Sequence, residues 1–272
     1  MRISVTGASG QAGRAVVREL REHGYDVVTT DVVVRDREDG TVQADLTDYG
    51  QALEALQDPD AVVHLANIPA PGLAPPATTF TANVTMNFTV FHAAARLGVQ
   101  RVVWASSETT LGLPFDEPPR YVPVDEAHYP LPTTTYALSK VVSETVAQWS
   151  GVPTVALRLS NIMAPTDYQR FPSVWADPWL RKDNLWAYVD ERDVATACRL
   201  ALTASDDAVA GHPSLIIAAA DTVMNRPTAD LLAEVFPDVP LTRSIPEYGT
   251  LLAIDRARDV LGYQPRHSWR DA

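Results

Sequence analysis

The N-terminal stretch RISVTGASGQAGRAVVRELREHGYDVVTTD, residues 2–31, decides the fold. A short apolar strand leads into a turn with glycine at every third position, Gly7, Gly10 and Gly13, and a helix-spaced segment and a second strand follow. Glycine at the turn permits positive φ, the second glycine permits a pyrophosphate to approach the backbone, and the third permits close packing of helix on strand. The stretch therefore predicts a dinucleotide site, with the phosphates at the helix N-terminus.

Asp31 lies at the carboxyl end of the second predicted strand. A carboxylate there can accept hydrogen bonds from the adenosine ribose hydroxyls and would repel a 2′-phosphate, which favours NAD over NADP. One alternative stays open, because Arg35 could reach a 2′-phosphate if the following loop folded back. Glycines also serve ordinary turns, but the order of strand, glycine triplet, helix, strand and acid favours cofactor binding.

Composition narrows the possible classes of protein. The 272 residues allow one large α/β domain or a large domain with a small one, and the net charge of −12 argues against nucleic-acid or membrane partners. The single cysteine, Cys198, excludes an intramolecular disulfide and any cysteine-based metal site, so we predict no metal. No run of 18 apolar residues occurs, and we expect a soluble protein of the reducing cytoplasm.

Continuous apolar strands at residues 61–65 and 101–105 are typical of a parallel sheet that is buried on both faces. We therefore predict an α/β fold with a Rossmann-like, doubly wound parallel sheet and a small C-terminal substrate-binding region. In this division, residues 1–160 form the NAD-binding domain and residues 185–220 return to it. Residues 161–184 and 221–272 form the small region.

Tyr136 and Lys140 are four positions apart at the start of a predicted helix, so both side chains project from one face. A nearby ammonium favours the phenolate and lowers the pKa of a tyrosine, and it can also hold ribose hydroxyls. Tyr136 could then take a proton from a substrate hydroxyl while hydride leaves for a nicotinamide. Alone, the pair could equally be an amphipathic helix with a solvated lysine.

The chain resembles the extended, epimerase/dehydratase branch of the short-chain dehydrogenase/reductase superfamily. The resemblance is carried by Thr6-Gly7-Ala8, by the Gly-x-x-Gly-x-x-Gly spacing and by Tyr-x-x-Ser-Lys-x-x-x-Glu over residues 136–144, with later matches at 188–195 and 261–265. It implies that Ser107, with Ser106 as the less favoured choice, orients the substrate oxygen. The predicted catalytic residues are thus Tyr136, Lys140 and Ser107.

The glycine turn, Asp31, the reactive pair and the family pattern together give the predicted cofactor-binding set. The resemblance implies that the pair Asp45-Leu46 lies beside the adenine. It also implies that Leu65-Ala66, at the end of a strand, and Asn83, at the start of the next helix, lie beside the cofactor. The alternative for Asp45, or for Asp48 after it, is that the residue caps the next helix. The set comprises Gly7, Ser9, Gly10, Gln11, Ala12, Gly13, Asp31, Asp45, Leu46, Leu65, Ala66, Asn83, Tyr136 and Lys140.

The segment from Asn161 to Lys182 lacks the longer insert that the resembling enzymes use for nucleotide-activated sugars. It carries aromatic residues and Arg170 instead, which suits a small carboxylated or hydroxylated substrate. We predict substrate contacts from Ser106, Asn161 and Arg170. The alternative is that this segment is simply packed or faces a partner.

The resemblance implies an NAD-dependent oxidoreductase that acts on a sugar or sugar-acid hydroxyl. Two alternatives are a nucleotide-sugar epimerase or dehydratase that returns the hydride to its substrate, and a non-catalytic NAD(P)-sensing regulator. The predicted helices at 79–97 and 134–149 carry apolar residues on more than one face, so a homodimer is expected, assembled as in the resembling family.

Overall fold

The computed structural model describes residues 1–34, 40–56, 58–115, 117–128 and 130–272. Arg35, considered above for a 2′-phosphate, lies outside these ranges. The strands are β1 (Arg2–Thr6), β2 (Asp26–Asp31), β3 (Val42–Gln43), β4 (Ala61–His64), β5 (Arg101–Ser107), β6 (Thr154–Leu159), β7 (Ile162–Met163), β8 (Val189–Asp190) and β9 (Ser214–Ile217). The α-helices are α1 (Gln11–Glu22), α2 (Tyr49–Leu56), α3 (Pro76–Arg96), α4 (Thr135–Gln148), α5 (Glu191–Thr203), α6 (Thr228–Val235) and α7 (Asp255–Leu261).

Seven of these strands form one parallel sheet in the order β3-β2-β1-β4-β5-β6-β9. Successive residues of each strand point to opposite faces: Val63 and Val103 pack with α1 and α5, whereas Val62 and Val102 pack with α2 and α3. Helices cover both faces, so the prediction of a Rossmann-like, doubly wound sheet is confirmed.

The chain reverses its direction of travel across the sheet between β1 and β4. β2 and β3 extend the sheet on one side of β1, and β4 to β9 extend it on the other. Ligands of open parallel sheets bind at such a switch point, beyond the carboxyl ends of the strands. The glycine turn follows β1 and Leu65-Ala66 follow β4, so both border this crevice.

Besides the apolar clusters on the two faces of the main sheet, a third apolar cluster lies mainly beyond the sheet and contains residues from many later segments of the chain. It joins the turn after β5, residues 165–188, α6 and the segment before α7. Its buried members include Leu111, Tyr168, Phe171, Trp186 and Leu252. β9 returns to the main sheet beside β6, while the short β7 and β8 pair separately with each other. The division into two regions is a proposal to which this arrangement gives support.

Helix α3 begins three residues earlier than the sequence pattern predicts. The helix predicted from residue 79 begins at Pro76, because proline lacks an N–H and already has a helical φ, which suits the first helical position. Within the described ranges, none of the helices combines the length and the apolar character needed to cross a membrane.

Candidate active site

The glycine turn after β1 is held in a shape that side chains would prevent. Gly7 has φ +70°, and a Cβ on it would lie 2.6 Å from the backbone nitrogen of Ala66. A Cβ on Gly13 would lie 2.1 Å from the carbonyl oxygen of Gly7, so α1 contacts the turn directly. Gly10 caps α1 without a side-chain hydrogen bond, which leaves the first N–H groups of the helix free for an anion.

Asp31 ends β2 beside this turn. Its carboxylate accepts hydrogen bonds from the backbone N–H of Ser9 at 2.8 Å and of Val33 at 3.2 Å. The acid therefore lies at the edge of the glycine turn, where the sequence places an adenosine ribose. The turn and the acid together form a cradle that fits a dinucleotide, with Ser9, Gln11 and Ala12 lining the turn between the glycines.

The remaining predicted cofactor residues follow β3 and β4. Asp45 accepts hydrogen bonds from the N–H and hydroxyl of Thr47, at 2.9 and 2.7 Å, whereas Asp48 accepts from the N–H of Gln51 and caps α2. The helix-cap alternative thus applies to Asp48. Asp45 and Leu46 lie in the turn between β3 and α2.

Asn83 is buried on α3 and faces the backbone that follows β4. Its side chain accepts from the N–H of Ile68 at 2.8 Å and donates to the carbonyl of the same residue at 3.1 Å. The amide thereby fixes the loop that continues from Leu65 and Ala66 at the crevice. Direct contact of Asn83 with the cofactor stays a prediction.

Tyr136, Lys140 and Ser107 lie together at the carboxyl end of β5. Thr134 caps α4 by accepting from the N–H of Ala137, which fixes the start of the helix that carries Tyr136 and Lys140. Lys140 donates to the carbonyl of Ala105 at 2.7 Å, and its Nζ lies 5.6 Å from the centre of the Tyr136 ring. The structure therefore unites three residues that the sequence separates by up to 33 positions.

Burial disfavours both charges of the reactive pair. Burial raises the pKa of Tyr136 to about 12, and the charge of Glu108 adds to this rise. The hydrogen bond with the Ser107 hydroxyl favours the phenolate and so acts in the opposite direction. Burial likewise lowers the pKa of Lys140 to about 7, with the Glu144 carboxylate opposing it. A phenol in this setting needs a nearby cation to ionise, and Lys140 is placed to supply one.

The three predicted substrate residues differ in their exposure and in their partners. Ser106 donates to Glu144 at 2.6 Å, and Glu144 is held by Arg158 through two hydrogen bonds at 2.9 and 2.8 Å. Asn161 is exposed, and Arg170 is 83% exposed and lies 3.3 Å from Asp167. Their substrate contacts remain predictions. Tyr168 and Phe171, which flank Arg170 in sequence, are buried against Tyr188. This packing agrees with the alternative that the aromatic residues of this segment are structural.

Glu108 is a residue near the reactive centre that sequence reasoning missed. It follows Ser107 directly and is buried, and burial raises the pKa of its carboxyl to about 8. An acidic residue immediately after a serine at the carboxyl end of a buried strand is a signal that could have found it. Among the described residues, no three His, Cys, Asp or Glu side chains gather into a group that could hold a metal ion.

Comparison with known proteins agrees with this geometry. Residues 3–217 match the model of the NAD dependent epimerase/dehydratase family. The chain belongs to this family. Membership confirms the predicted superfamily, the NAD cofactor and the enzyme class, and it sets aside the non-catalytic regulator.

This family member is similar both to epimerases and to dehydrogenases. It is 26% identical to a UDP-glucose 4-epimerase of Lacticaseibacillus casei over 98% of this chain and 92% of the relative. It is 28% identical to a uronate dehydrogenase of Pseudomonas syringae pv. tomato over 64% of each chain. A solved UDP-galactose 4-epimerase structure superposes with a TM-score of 0.72 at 27% identity, covering 98% of this chain and 94% of that one.

Proposed function

We propose that this family member is an NAD-dependent dehydrogenase that oxidises a hydroxyl group of a free sugar or sugar acid and releases NADH. The observation that supports the proposal is that Tyr136, Lys140 and Ser107 lie together at the carboxyl end of β5, which is separated only by β4 from β1 and its glycine turn. NAD supplies the hydride acceptor for such a reaction. Ser107 would hold the substrate oxygen, and Tyr136 would take its proton while Lys140 stabilises the phenolate.

The segment after β6 supports a free sugar over a nucleotide sugar. Residues 165–174 form a 3₁₀ turn whose aromatic side chains pack against the C-terminal region, and the insert expected of enzymes for nucleotide-activated sugars is missing. Relatives named uronate dehydrogenase and NAD-dependent glucose-6-phosphate dehydrogenase also favour it. The second candidate is a nucleotide-sugar epimerase that returns the hydride, favoured by the match to an epimerase over 98% of this chain.

One assay separates these two candidates. The protein is incubated with NAD and, separately, with D-glucuronate, D-galacturonate, L-arabinose, glucose 6-phosphate and UDP-glucose, and absorbance at 340 nm is followed. A dehydrogenase produces stoichiometric NADH with one of the free sugars. Conversion of UDP-glucose into UDP-galactose without release of NADH would instead establish the epimerase.

The Tyr136→Phe variant is the control for chemistry. Phenylalanine keeps the buried ring and removes the proton acceptor, so we expect turnover to fall by about two to four powers of ten while the Kd of NAD barely changes. A variant that keeps full turnover would show that Tyr136 is not the acid/base.

We also propose that the protein forms a homodimer in the cytoplasm, through α3 and α4. These helices pack together and leave Phe88 52%, Leu138 41% and Trp149 85% exposed, an apolar surface that a second copy could cover. A reducing compartment suits a chain whose single cysteine is buried. Sedimentation should give a dimer at micromolar concentration; Trp149→Lys should yield monomer, whereas Trp179→Lys, at an exposed tryptophan elsewhere, should not.

A further inference from the structure

The Ser107 hydroxyl is held by Thr109, a half-buried residue of the turn that follows it. Ser107 caps the 3₁₀ turn of residues 108–111, and its Oγ atom accepts the backbone N–H of Thr109 at 3.2 Å. The Thr109 hydroxyl donates to the same Oγ atom at 3.0 Å. The Thr110 hydroxyl donates to the backbone carbonyl of Ser107 at 2.9 Å, so the side chain and the backbone of Ser107 are both fixed by this turn.

The contacts with Thr109 occupy the acceptor positions of the Ser107 hydroxyl. A serine oxygen has two lone pairs and one proton. The backbone N–H of Thr109 takes one lone pair, and the Thr109 hydroxyl takes the other. Ser107 is then left with its proton to donate. Its hydrogen-bond interaction with Tyr136 favours the phenolate, which is the sense expected when Ser107 is the donor.

The order of donors is fixed once Tyr136 is ionised. A phenolate oxygen can only accept, so Ser107 must donate to it and has no proton left for Thr109. The Thr109 hydroxyl must therefore donate to Ser107, as it does in the structure. The result is a chain of donors that runs from Thr109 through Ser107 to Tyr136, in which each bond polarises the next.

We propose that Thr109 is a positioning residue whose hydroxyl directs the proton of Ser107 toward the ionised Tyr136. The inference rests on the proposed function, in which Tyr136 is the acid/base. Without the Thr109 hydroxyl, one lone pair of Ser107 is open to a proton from Tyr136, and that bond favours the neutral phenol. A smaller fraction of the protein then holds the base needed for proton transfer. Thr109 acts through Ser107 and needs no contact of its own with the substrate.

The test is a double-mutant cycle on Thr109 and Ser107, measured with the member of the panel above that the wild type converts best. Thr109→Val removes the hydroxyl but keeps the branched shape and the backbone N–H, and we expect kcat to fall about tenfold with KM unchanged. Thr109→Ser restores the donor and should stay within about threefold of the wild type. In a Ser107→Ala background, Thr109→Val should change kcat by less than about twofold, because the group on which it acts is gone.

The cycle separates an effect on Ser107 from an effect on the fold. Thermal melting and NAD titration check that each variant is folded and binds the cofactor. The inference is overturned if Thr109→Val lowers kcat equally with and without the Ser107 hydroxyl, if Thr109→Val keeps full kcat, or if Thr109→Ser fails to restore it. Conversion of UDP-glucose without NADH release would refute the proposed dehydrogenase, and the same cycle would then be measured on that conversion.

A second measurement does not depend on turnover. Neutron diffraction from deuterium-exchanged crystals of the wild type with NAD locates the hydroxyl deuterium atoms, which X-ray data at ordinary resolution do not show. We expect the deuterium of Thr109 to point to Ser107 Oγ and that of Ser107 to point toward Tyr136. The reverse order would overturn the inference. If no member of the panel is converted, the proposed function fails, and the order of these donors still decides the inference.

Discussion

The substitution Gly13→Ala tests the geometry of the cofactor cradle most directly. The added Cβ would lie 2.1 Å from the carbonyl oxygen of Gly7 and 2.8 Å from Cα of Ala8, both backbone atoms that cannot rotate away. To reach ordinary contact, α1 and the turn must separate by at least about 1.3 Å. The Gly7 carbonyl also accepts the N–H of Gly10 at 3.1 Å, so this separation disturbs the turn itself.

Two opposing effects set the size of the loss in stability. Overpacking of this kind costs about 1–3 kcal/mol, while alanine in place of glycine inside a helix contributes about 1 kcal/mol in the other direction. The net loss should then be up to about 2 kcal/mol, which lowers the melting temperature by roughly 2–8 °C in a protein of this size. NAD binding should weaken at least tenfold, because the displaced turn no longer presents its N–H groups to the pyrophosphate.

Thermal melting and calorimetric titration with NAD measure the two effects separately. The matched control is Gly50→Ala, the same change at an exposed position of helix α2, where the nearest atom to a new Cβ is a carboxylate oxygen of Asp48 at 3.2 Å. We expect that control to keep full stability and NAD affinity. If Gly13→Ala behaves like Gly50→Ala in both measurements, the close approach of α1 to the turn is not what shapes the cradle.

Three further predictions concern the cofactor, the substrate and the reactive pair. Asp31→Ser should raise the affinity for NADP relative to NAD, and tighter binding of NADP by the wild type would contradict the assignment of Asp31. Arg170→Ala should lower kcat/KM about 10-fold to 100-fold for a sugar acid but not for L-arabinose; equal effects would make Arg170 a surface residue paired with Asp167. Lys140→Met should lower kcat/KM about 100-fold at pH 7, near the pKa of about 7 of Lys140, and the loss should shrink as the pH rises above 8 and the wild-type lysine loses its charge; Lys140→Arg is the charged control.

Local patterns were sufficient to predict the sheet and the cradle. The glycine spacing, the uninterrupted apolar strands and Asp31 each depend on residues close together in sequence, and the structure arranges them as a switch-point crevice. Tyr136 and Lys140 could be paired in advance because helical spacing fixes a common face. Ser107 needed the family pattern, since it comes from a different strand.

Contacts between distant segments could not be read in the same way. The His267 ring, for example, lies 2.8 Å from the buried Asp193, although these residues are 74 positions apart in sequence. Tyr168 and Phe171 suggested a substrate loop, whereas they pack against Tyr188 because aromatic surface is more stable buried than exposed. Glu108 carried no periodic signal, and its burial depends on segments that arrive later in the chain.

The energetics of the reactive pair explain why both residues must be buried together. The rise in the pKa of Tyr136 from 10 to about 12 corresponds to about 3 kcal/mol against the phenolate. An ammonium group favours a nearby phenolate, and the Lys140 Nζ lies 5.6 Å from the centre of the Tyr136 ring. Since the pKa of Lys140 is about 7, holding its proton at neutral pH costs under about 1 kcal/mol. A protonated Lys140 would therefore oppose the desolvation of the tyrosine, which is the role that the proposed proton transfer to Tyr136 requires of it.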